Sequence, residues 1–243
     1  MSGEAIGSDA RGLAESYSYV AAWAHDHLIA EPGLNLSAYF IEQGRLEDTL
    51  AEPRERRVLD VGCGGGQNAI RFKERHPHLS LVGIDLEVGQ IARARQRARR
   101  RRCAVDFEVA DAQALPFPDT SFDVVVSFGS AKHWPDPLKG IGECWRVLKP
   151  GGELLIADAT SDATRDEVVN FYRLMRFPRM LEKPLTGLMY RRLFRPAGGM
   201  ETYRRIAARL GMPEGTVSRL PSIPIFFIRT RKPLLRQVAP APS

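Results

Sequence analysis

Short apolar runs alternate with amphipathic segments through the middle of the chain. Five runs rich in Val, Leu, Ile or Phe predict buried strands: "RRVLDVG", "LSLVGID", "AVDFEVAD", "SFDVVVSFG" and "GELLIADA". Apolar residues recur at helical spacing in "GQNAIRFKERHP", "LEVGQIARARQRARRRR" and "DPLKGIGECWRVL". Strands separated by helices of this length predict an α/β fold with a parallel sheet and right-handed crossovers.

The pattern changes on both sides of this core. Residues 1–50 predict a helical preface, and residues 51–232 predict the main domain, with a helical insertion at about 163–200. After the insertion, "METYRRIAARLGM" predicts one more helix, and "TVSRL" and "IPIFFIRTRK" predict a final hairpin at one sheet edge. Residues 233–243 are expected to form a flexible tail.

Composition narrows the class of protein. The chain has 243 residues, of which 44% are hydrophobic, as is usual for a soluble globular protein. It contains no apolar run of the roughly 18 residues that a membrane span needs, and its polar start lacks the apolar core of a secretory signal. The three cysteines form no C-x-x-C pair, so neither a disulfide framework nor a metal site is indicated. We therefore expect a cytoplasmic protein without a metal.

The net charge of +6 owes much to the run "RARQRARRRR", Arg93 to Arg102. One interpretation is a nucleic-acid patch. The other is the solvated face of a helix whose Ile91, Ala94 and Ala98 turn inward. The second is favoured, because no aromatic residue is interleaved for base stacking and no nucleic-acid module is recognisable.

A glycine-rich loop, "LDVGCGGGQNAI", follows the first predicted strand. Its glycines allow a ligand to approach the main chain, but Gln67 stands where the dinucleotide pattern G-x-G-x-x-G requires glycine. Asp85 ends the second strand, where a carboxylate suits ribose hydroxyls, and Asp111 ends the third, where one suits the adenine amino group. There is no phosphate loop of the G-x-x-x-x-G-K-[ST] type. The expected ligand is an adenosine without a required phosphate.

Four ordered motifs then carry a resemblance: "VLDVGCGGG", "LVGIDLE", "VADAQALPFPDTSFDVVVS" and "CWRVLKPGGELLIAD". From about Arg57 to Ala159, and more weakly to Lys232, the chain resembles the class I S-adenosylmethionine-dependent methyltransferases. It is most similar to their small-molecule, type 11-like branch. The resemblance implies a Rossmann-like seven-stranded, mostly parallel sheet in the order 3-2-1-4-5-7-6, with strand 7 antiparallel and helices on both faces. It also implies S-adenosyl-L-methionine as cofactor and S-adenosyl-L-homocysteine as product.

The resemblance further implies a role for each cofactor-binding residue. Asp60 and the Gly62–Gly64 backbone would hold the methionine part. Asp85 would bind the ribose, and the acid after the third strand would read the adenine edge together with the next amide. The predicted set is Asp60, Gly62, Cys63, Gly64, Gly66, Asp85, Leu86 (against the adenine), Asp111, Ala112, and Ser127 and Phe128 on the sulfonium side.

His133, in "GSAKHWPDP", is the candidate general base for an acceptor that must lose a proton. The alternative is that "HWPDP" only shapes the loop and starts the next helix at Asp136. Substrate contacts are expected from the preface, from this loop and from the insertion: Tyr17, Tyr19, Trp23, His25, Trp134, Tyr172, Met175 and Arg176. Three interpretations of the insertion stay open: an apolar pocket with arginines for an acidic substrate, a basic membrane-touching surface for a lipid-like substrate, or a helical pair packed on the sheet.

The resulting hypothesis is methyl transfer to an O, N or C nucleophile of a small metabolite, with acidic and aromatic acceptors both open. RNA or protein methylation and non-catalytic S-adenosylmethionine binding remain alternatives. A dehydrogenase is disfavoured by the missing glycine, by Asp111 and by "LKPGG". The expected partner is a small molecule rather than nucleic acid, and monomer and homodimer are both open.

Overall fold

The computed structural model describes residues 46–174, 187, 190–195 and 197–234. In this part of the chain seven strands form one sheet in the order β3-β2-β1-β4-β5-β7-β6. This confirms the predicted strand order and fold class. The strands are β1 (Arg57–Val61), β2 (Ser80–Asp85), β3 (Asp106–Val109), β4 (Phe122–Phe128), β5 (Leu148–Ala159), β6 (Val217–Arg219) and β7 (Ile225–Arg231).

Strands β1 to β5 pair in parallel, whereas β7 is antiparallel to both β5 and β6. The predicted final hairpin and the antiparallel seventh strand are thus confirmed. Because the connections between the parallel strands cross over, the carboxyl ends of β1, β2, β3, β4 and β5 share one edge of the sheet. We call it the carboxyl edge.

The start of β5 differs from the prediction. The run "GELLIADA" predicted a strand from Gly152, but β5 already begins at Leu148. The register with β4 jumps from Phe122↔Leu148 to Val124↔Glu153, so the intervening residues bulge out of the ladder. Gly151 makes this bulge possible with a φ of 76°.

Helices cover both faces of the sheet. They are α1 (Leu46–Ala51), α2 (Gln67–Arg75), α3 (Val88–Arg101), α4 (Pro137–Val147), α5 (Arg165–Leu174) and α6 (Met200–Arg209), with a 3-10 turn (Ala131–His133) and a π-helical turn (Tyr190–Phe194). Helices α1, α2, α3 and α5 pack on one face, and α4 and α6 pack on the other. Among the described residues, no helix is both long and apolar enough to cross a bilayer.

Only the end of the predicted preface falls in the described part. Leu46 and Leu50 of α1 are buried in the core beside Val58 of β1, so this turn is packed against the sheet. The other predicted preface contacts, and the insertion residues next to α5, lie outside the described residues: Tyr17, Tyr19, Trp23, His25, Met175 and Arg176. Tyr172 lies on α5, but its side chain is also outside what the structure describes.

The arginine run forms most of α3, and its predicted inward face is confirmed. Ile91, Ala94 and Ala98 are buried. Arg95 donates two hydrogen bonds to the Phe107 carbonyl oxygen, at 3.0 and 2.6 Å. Much of the run therefore serves the packing of α3 against its neighbours, since Arg97 and Arg101 also bind groups outside the helix, the Gly65 carbonyl and the Glu74 carboxylate.

Candidate cofactor site

The glycine loop joins β1 to α2 at the carboxyl edge. The amides of Gly62 and Cys63 both donate to the Ile84 carbonyl oxygen at 2.8 Å, which ties the loop to the end of β2. Gly62, Gly64 and Gly66 have φ values of 73°, 51° and 78°, in the left-handed region that favours glycine. Helix α2 then begins without a side-chain cap, and the first amides of such a helix are available to an acceptor.

The three glycines have different surroundings. A Cβ on Gly62 would lie 1.9 Å from the Ser130 Oγ, and one on Gly66 would lie 2.6 Å from the Phe107 ring. Both residues are glycines because neighbouring side chains fill the space. A Cβ on Gly64 would find its nearest neighbour, the Gln90 Oε1, only at 3.9 Å. Gly64 is thus the glycine that faces open space, where a ligand has room to approach the main chain.

Asp85 is joined directly to this loop. Its Oδ2 accepts a hydrogen bond from the Gly64 amide at 2.9 Å, and its Oδ1 accepts one from the Glu87 amide at 3.0 Å. Beside it, the side chains of Leu86 and Val88 are 64% and 69% exposed, which is unusual for large apolar residues. The end of β2 therefore combines a carboxylate with an apolar surface, as a nucleoside requires.

Asp60, on β1, has a buried carboxyl oxygen without a hydrogen-bond partner in the described part of the chain. Its side chain is 1% exposed, and its Oδ2 has no hydrogen-bond partner among the described residues. Burial, reinforced by the charge of Asp85, raises the pKa of this carboxyl to about 7. A buried acceptor without a donor is costly, and a ligand ammonium group would relieve that cost. The Asp60 carboxyl thus fits the ammonium group at the aminoacyl end of S-adenosylmethionine.

Gln90 is a site residue that the sequence reasoning missed. Its side-chain Oε1 is buried without a partner in the described part, and it faces Gly64. The sequence signal for Gln90 was weak. It is a polar residue in the first turn of α3, five positions after Asp85, and the arginines dominate the sequence of that helix.

Asp111 lies two residues beyond β3, in a turn. Its Oδ1 accepts a hydrogen bond from the Gln113 amide at 2.8 Å, and Ala112 beside it is buried. The loop that follows is held by α4, because the Glu143 carboxylate accepts from the Leu115 amide at 2.8 Å and binds Arg146 through both oxygens, at 2.7 and 2.8 Å.

Arg146 completes this clamp on the loop after β3. Its guanidinium also donates to the carbonyl oxygens of Leu115, at 3.1 Å, and Phe117, at 2.8 Å. The clamp therefore gives a structural role to Glu143 and Arg146, two polar residues of the segment "DPLKGIGECWRVL" that had been predicted only as part of a helix.

The end of β4 carries the residues predicted for the sulfonium side. Ser127 is fully buried, and its Oγ has no partner in the described part. The Phe128 ring meets the Phe72 ring edge-on at 6.4 Å. His133 is exposed at the end of the 3-10 turn, and its amide donates to the Ser130 carbonyl at 2.9 Å. Asp136 accepts from the Lys139 amide at 3.2 Å, so the predicted start of α4 at Asp136 is confirmed.

Two of the predicted site residues have buried side chains. The Cys63 thiol is buried in an apolar cluster with Ile91 and Phe107, and burial raises its pKa well above the usual range. Cys63 therefore offers a ligand only its main chain. Trp134 was expected to contact the substrate, but it is 9% exposed and packs in the core under α4. Its indole donates to the Ser130 Oγ at 3.1 Å.

A groove of about 930 Å³ opens elsewhere, beside α3 and β3. It reaches the first residues of β2, Ser80 and Leu81, at the end of the strand opposite Asp85, and is lined by both arginines and carboxylates. None of the predicted cofactor residues borders it, so its volume says nothing about the cofactor. In the described part of the chain, no group of three or more His, Cys, Asp or Glu side chains is arranged to hold a metal ion.

Comparison with known proteins agrees with this geometry. Residues 59–156 match the family model of the methyltransferase domain. The demethylmenaquinone methyltransferase of Deinococcus radiodurans is 43% identical over 103 residues, which are 42% of this chain and 43% of that protein. The 2-methyl-6-phytyl-1,4-hydroquinone methyltransferase of Synechocystis sp. is 35% identical over 186 residues, 74% of this chain and 54% of that protein. The matches thus span about half the length of these relatives.

The fold itself recurs in solved structures. A protein of Methanococcus maripaludis, described as a candidate S-adenosyl-L-methionine-dependent methyltransferase, superposes with a TM-score of 0.65. The match covers 90% of this chain and 94% of the other at 16% identity, so it bears on the fold alone. Residues 59–156 thus match a methyltransferase domain model, and they contribute β1 to β5 of a sheet in the order β3-β2-β1-β4-β5-β7-β6.

Proposed function

We propose that this chain binds S-adenosyl-L-methionine at the carboxyl edge and transfers its methyl group to a small metabolite. The observation that carries the proposal is the buried Asp60 carboxyl, whose unpartnered oxygen lies on the strand that leads into the glycine loop. A cation there would gain both a hydrogen bond and a charge partner in a water-poor setting. A dinucleotide, whose phosphates are anionic, would gain neither.

The binding assignment follows the described contacts. Asp60 and the main chain at Gly64 would hold the aminoacyl end. Asp85 would exchange its bond to the Gly64 amide for the ribose hydroxyls, with Leu86 as an apolar surface for the adenine. Asp111, held in place by the Glu143–Arg146 clamp, would accept from the adenine amino group.

The chemistry asked of the protein is modest. When bound, S-adenosylmethionine supplies a methyl group that is already attached to a good leaving group. The chain's own task is then to orient the acceptor in line and to keep water out. Where the acceptor must lose a proton, we propose His133 as the base, because it lies at the end of the turn that follows β4 and its side chain is exposed.

For the acceptor we propose an aromatic ring of the phenol or hydroquinone class, methylated at carbon or oxygen. Support comes from the relatives, since the proteins of Deinococcus and Synechocystis are named for a demethylmenaquinone and for a methyl-phytyl-hydroquinone. The exposed apolar surface at Leu86 and Val88 suits a site that handles flat apolar rings. Acidic and amine acceptors are the competing classes.

The test is a transfer assay with methyl-labelled S-adenosylmethionine and a panel of four acceptor classes: hydroquinones, other phenols, amines and carboxylic acids. The proposal expects label in an organic extract of the hydroquinone or phenol arm, with equimolar S-adenosylhomocysteine formed. Transfer only to amines or acids would overturn the acceptor class. No transfer to any arm, together with no binding of S-adenosylhomocysteine, would overturn the function.

A matched pair of variants separates the cofactor site from the rest of the protein. Asp60→Asn removes the buried charge. Asp123→Asn removes a carboxylate at the opposite end of the sheet, on β4. The first variant should lose transfer at cofactor concentrations that saturate the wild type, and the second should retain it. Equal losses in the two variants would argue against Asp60 as a ligand-binding group.

A further inference from the structure

A buried ion pair lies behind the candidate site, between Lys132 in the 3-10 turn and Asp158 on β5. The Lys132 Nζ is 3.2 Å from the Asp158 Oδ1, and the two side chains are 10% and 1% exposed. Burying two charges costs free energy that their attraction repays only with good geometry and further hydrogen bonds, so such a pair is weak evidence of a purely stabilising role.

Asp158 binds main chain as well as charge. Its Oδ2 accepts from the Lys132 amide at 2.9 Å, and its Oδ1 also accepts from the Ala159 amide at 2.7 Å. The Lys132 amine, in turn, donates to the carbonyl oxygen of Gly129, the first residue after β4. The pair thus fixes both the backbone at Lys132 and the start of the segment Gly129–His133.

That segment carries Ser130 against the glycine loop. The Ser130 side chain occupies the space that a Cβ of Gly62 would need, at 1.9 Å from its Oγ. Ser130 is itself held by the Trp134 indole, at 3.1 Å, and by the His133 amide, at 2.9 Å. The connection therefore runs from Asp158 through Lys132 to the Gly129 carbonyl, along the main chain to Ser130, and from the Ser130 side chain to Gly62.

We propose that Asp158 and Lys132 are positioning residues for the cofactor, which act by holding Ser130 against Gly62 and so setting the shape of the glycine loop. The inference rests on the proposed function, because its main readout is cofactor affinity. A site of this kind depends on tight placement, since a misplacement of about 1 Å can cost a factor of about 100. The contacts also predict a ranking of the two residues. Loss of the Asp158 carboxylate, which holds two main-chain amides, should weaken cofactor binding more than loss of the Lys132 amine.

The chain offers a comparison pair at the starts of β4 and β5, at the end of the sheet away from the glycine loop. Lys149 and Asp123 also form an ion pair, at 2.8 Å, and Asp123 also accepts from a main-chain amide, that of Arg57 at 2.9 Å. This pair has the same residue types, but Asp123 lies on β4 and Lys149 on β5, at the ends far from the glycine loop, and the two side chains are 25% and 39% exposed. Loss of either pair perturbs the sheet, and only one has contacts that lead to Gly62.

The experiment uses the full chain and four variants: Asp158→Ala, Lys132→Met, Asp123→Ala and Lys149→Met. Calorimetric titration with S-adenosylhomocysteine gives the Kd. Two-dimensional ¹⁵N–¹H spectra without cofactor give the Gly62 amide resonance. Asp158→Ala should raise the Kd at least about tenfold and shift the Gly62 resonance. Lys132→Met should give a smaller change of the same sign, and the two control variants should stay within about twofold of the wild type.

The two readouts keep the two proposals apart. If the wild type does not bind S-adenosylhomocysteine, the proposed function fails, and the Gly62 resonance still decides whether the ion pair shapes the loop. If the wild type binds but Asp158→Ala leaves Kd and resonance unchanged, or if Asp123→Ala changes them equally, the positioning role is overturned. Should Asp158→Ala not fold, Asp158→Asn, which keeps one acceptor oxygen, is judged by the same criteria.

Discussion

Replacing Gly62 with alanine tests the packing of the glycine loop most sharply. The substitution adds a single methyl group, and it meets two distinct obstacles. The backbone at Gly62 has a φ of 73°, which an L-residue adopts only with strain. The new Cβ would also overlap the Ser130 side chain, at 1.9 Å from its Oγ and 2.4 Å from its Cβ.

The two obstacles have separable magnitudes. The left-handed backbone costs about 1–2 kcal/mol for a non-glycine residue. The overlap forces Ser130 to move, and overpacking of this kind costs about 1–3 kcal/mol. We expect Gly62→Ala to lower the free energy of unfolding by about 2–5 kcal/mol. Gly64→Ala pays only the backbone cost, about 1–2 kcal/mol, because its Cβ would have no neighbour closer than 3.9 Å.

The assay is urea unfolding without ligand, applied to a double-mutant cycle. Ser130→Gly empties the space that the new methyl group needs. The double variant Gly62→Ala/Ser130→Gly should therefore be less destabilised than the sum of the single variants, by a coupling of about 1–3 kcal/mol. The Kd for S-adenosylhomocysteine, measured on the same four proteins, shows whether the loop recovers its shape as well as its stability.

Two results would refute this reasoning. If Gly62→Ala is no more damaging than Gly64→Ala, Ser130 does not confine the loop. If the effects of the two single changes are additive, the destabilisation comes from the backbone alone, and the contact between Ser130 and Gly62 contributes no free energy.

Three further outcomes are expected. Asp60→Asn should raise the free energy of unfolding at pH 8 by on the order of 2–4 kcal/mol, because the folded chain holds the pKa of this carboxyl at about 7 while the unfolded chain loses the proton near pH 4. The wild type should accordingly lose stability from about pH 4 to pH 7 relative to this variant in urea titrations. If the free energy of unfolding changes with pH in the same way in both proteins, the raised pKa of Asp60 is contradicted. Arg146→Lys cannot keep the two-oxygen bond to Glu143 together with both carbonyl contacts. This substitution should lower the free energy of unfolding by about 1–3 kcal/mol and weaken cofactor binding. A loss of stability with an unchanged Kd would show that the Glu143–Arg146 clamp does not influence the cofactor site. His133→Ala should lower kcat by about 10²-fold or more while leaving the Kd for S-adenosylhomocysteine unchanged, whereas near-normal turnover would remove His133 as the base.

The strand order was predictable because the apolar runs are short, continuous and separated by helices of crossover length. Val58, Val124 and Leu155 lie on strands that are covered on both faces, and that is why their segments read as uninterrupted apolar runs. The start of β5 was not predictable in the same way. "KPGG" has the composition of a turn, and only the pairing of Leu148 with Phe122 places it inside the strand, as a bulge.

The site was predictable where a residue's role depends on its place at a strand end. Asp85 is joined to Gly64 across the sheet, as expected from parallel strands that end at one edge. Roles that depend on contacts between distant segments were not predictable. Arg146 binds carbonyls about thirty positions earlier in the chain, and Trp134 is buried because Gly140 of α4 leaves room for its ring.

The central claim, that the carboxyl edge binds S-adenosylmethionine through its carboxylates, is tested most directly by calorimetric titration of the full chain with S-adenosylhomocysteine. Asp85→Ala is compared with Asp106→Ala, which removes an exposed carboxylate from the opposite end of the neighbouring strand β3. We predict one binding site in the wild type, an affinity at least about tenfold weaker in Asp85→Ala, and no change in Asp106→Ala. Wild-type affinity in a folded Asp85→Ala variant, or preferential binding of NAD(H) by the wild type, would contradict the assignment.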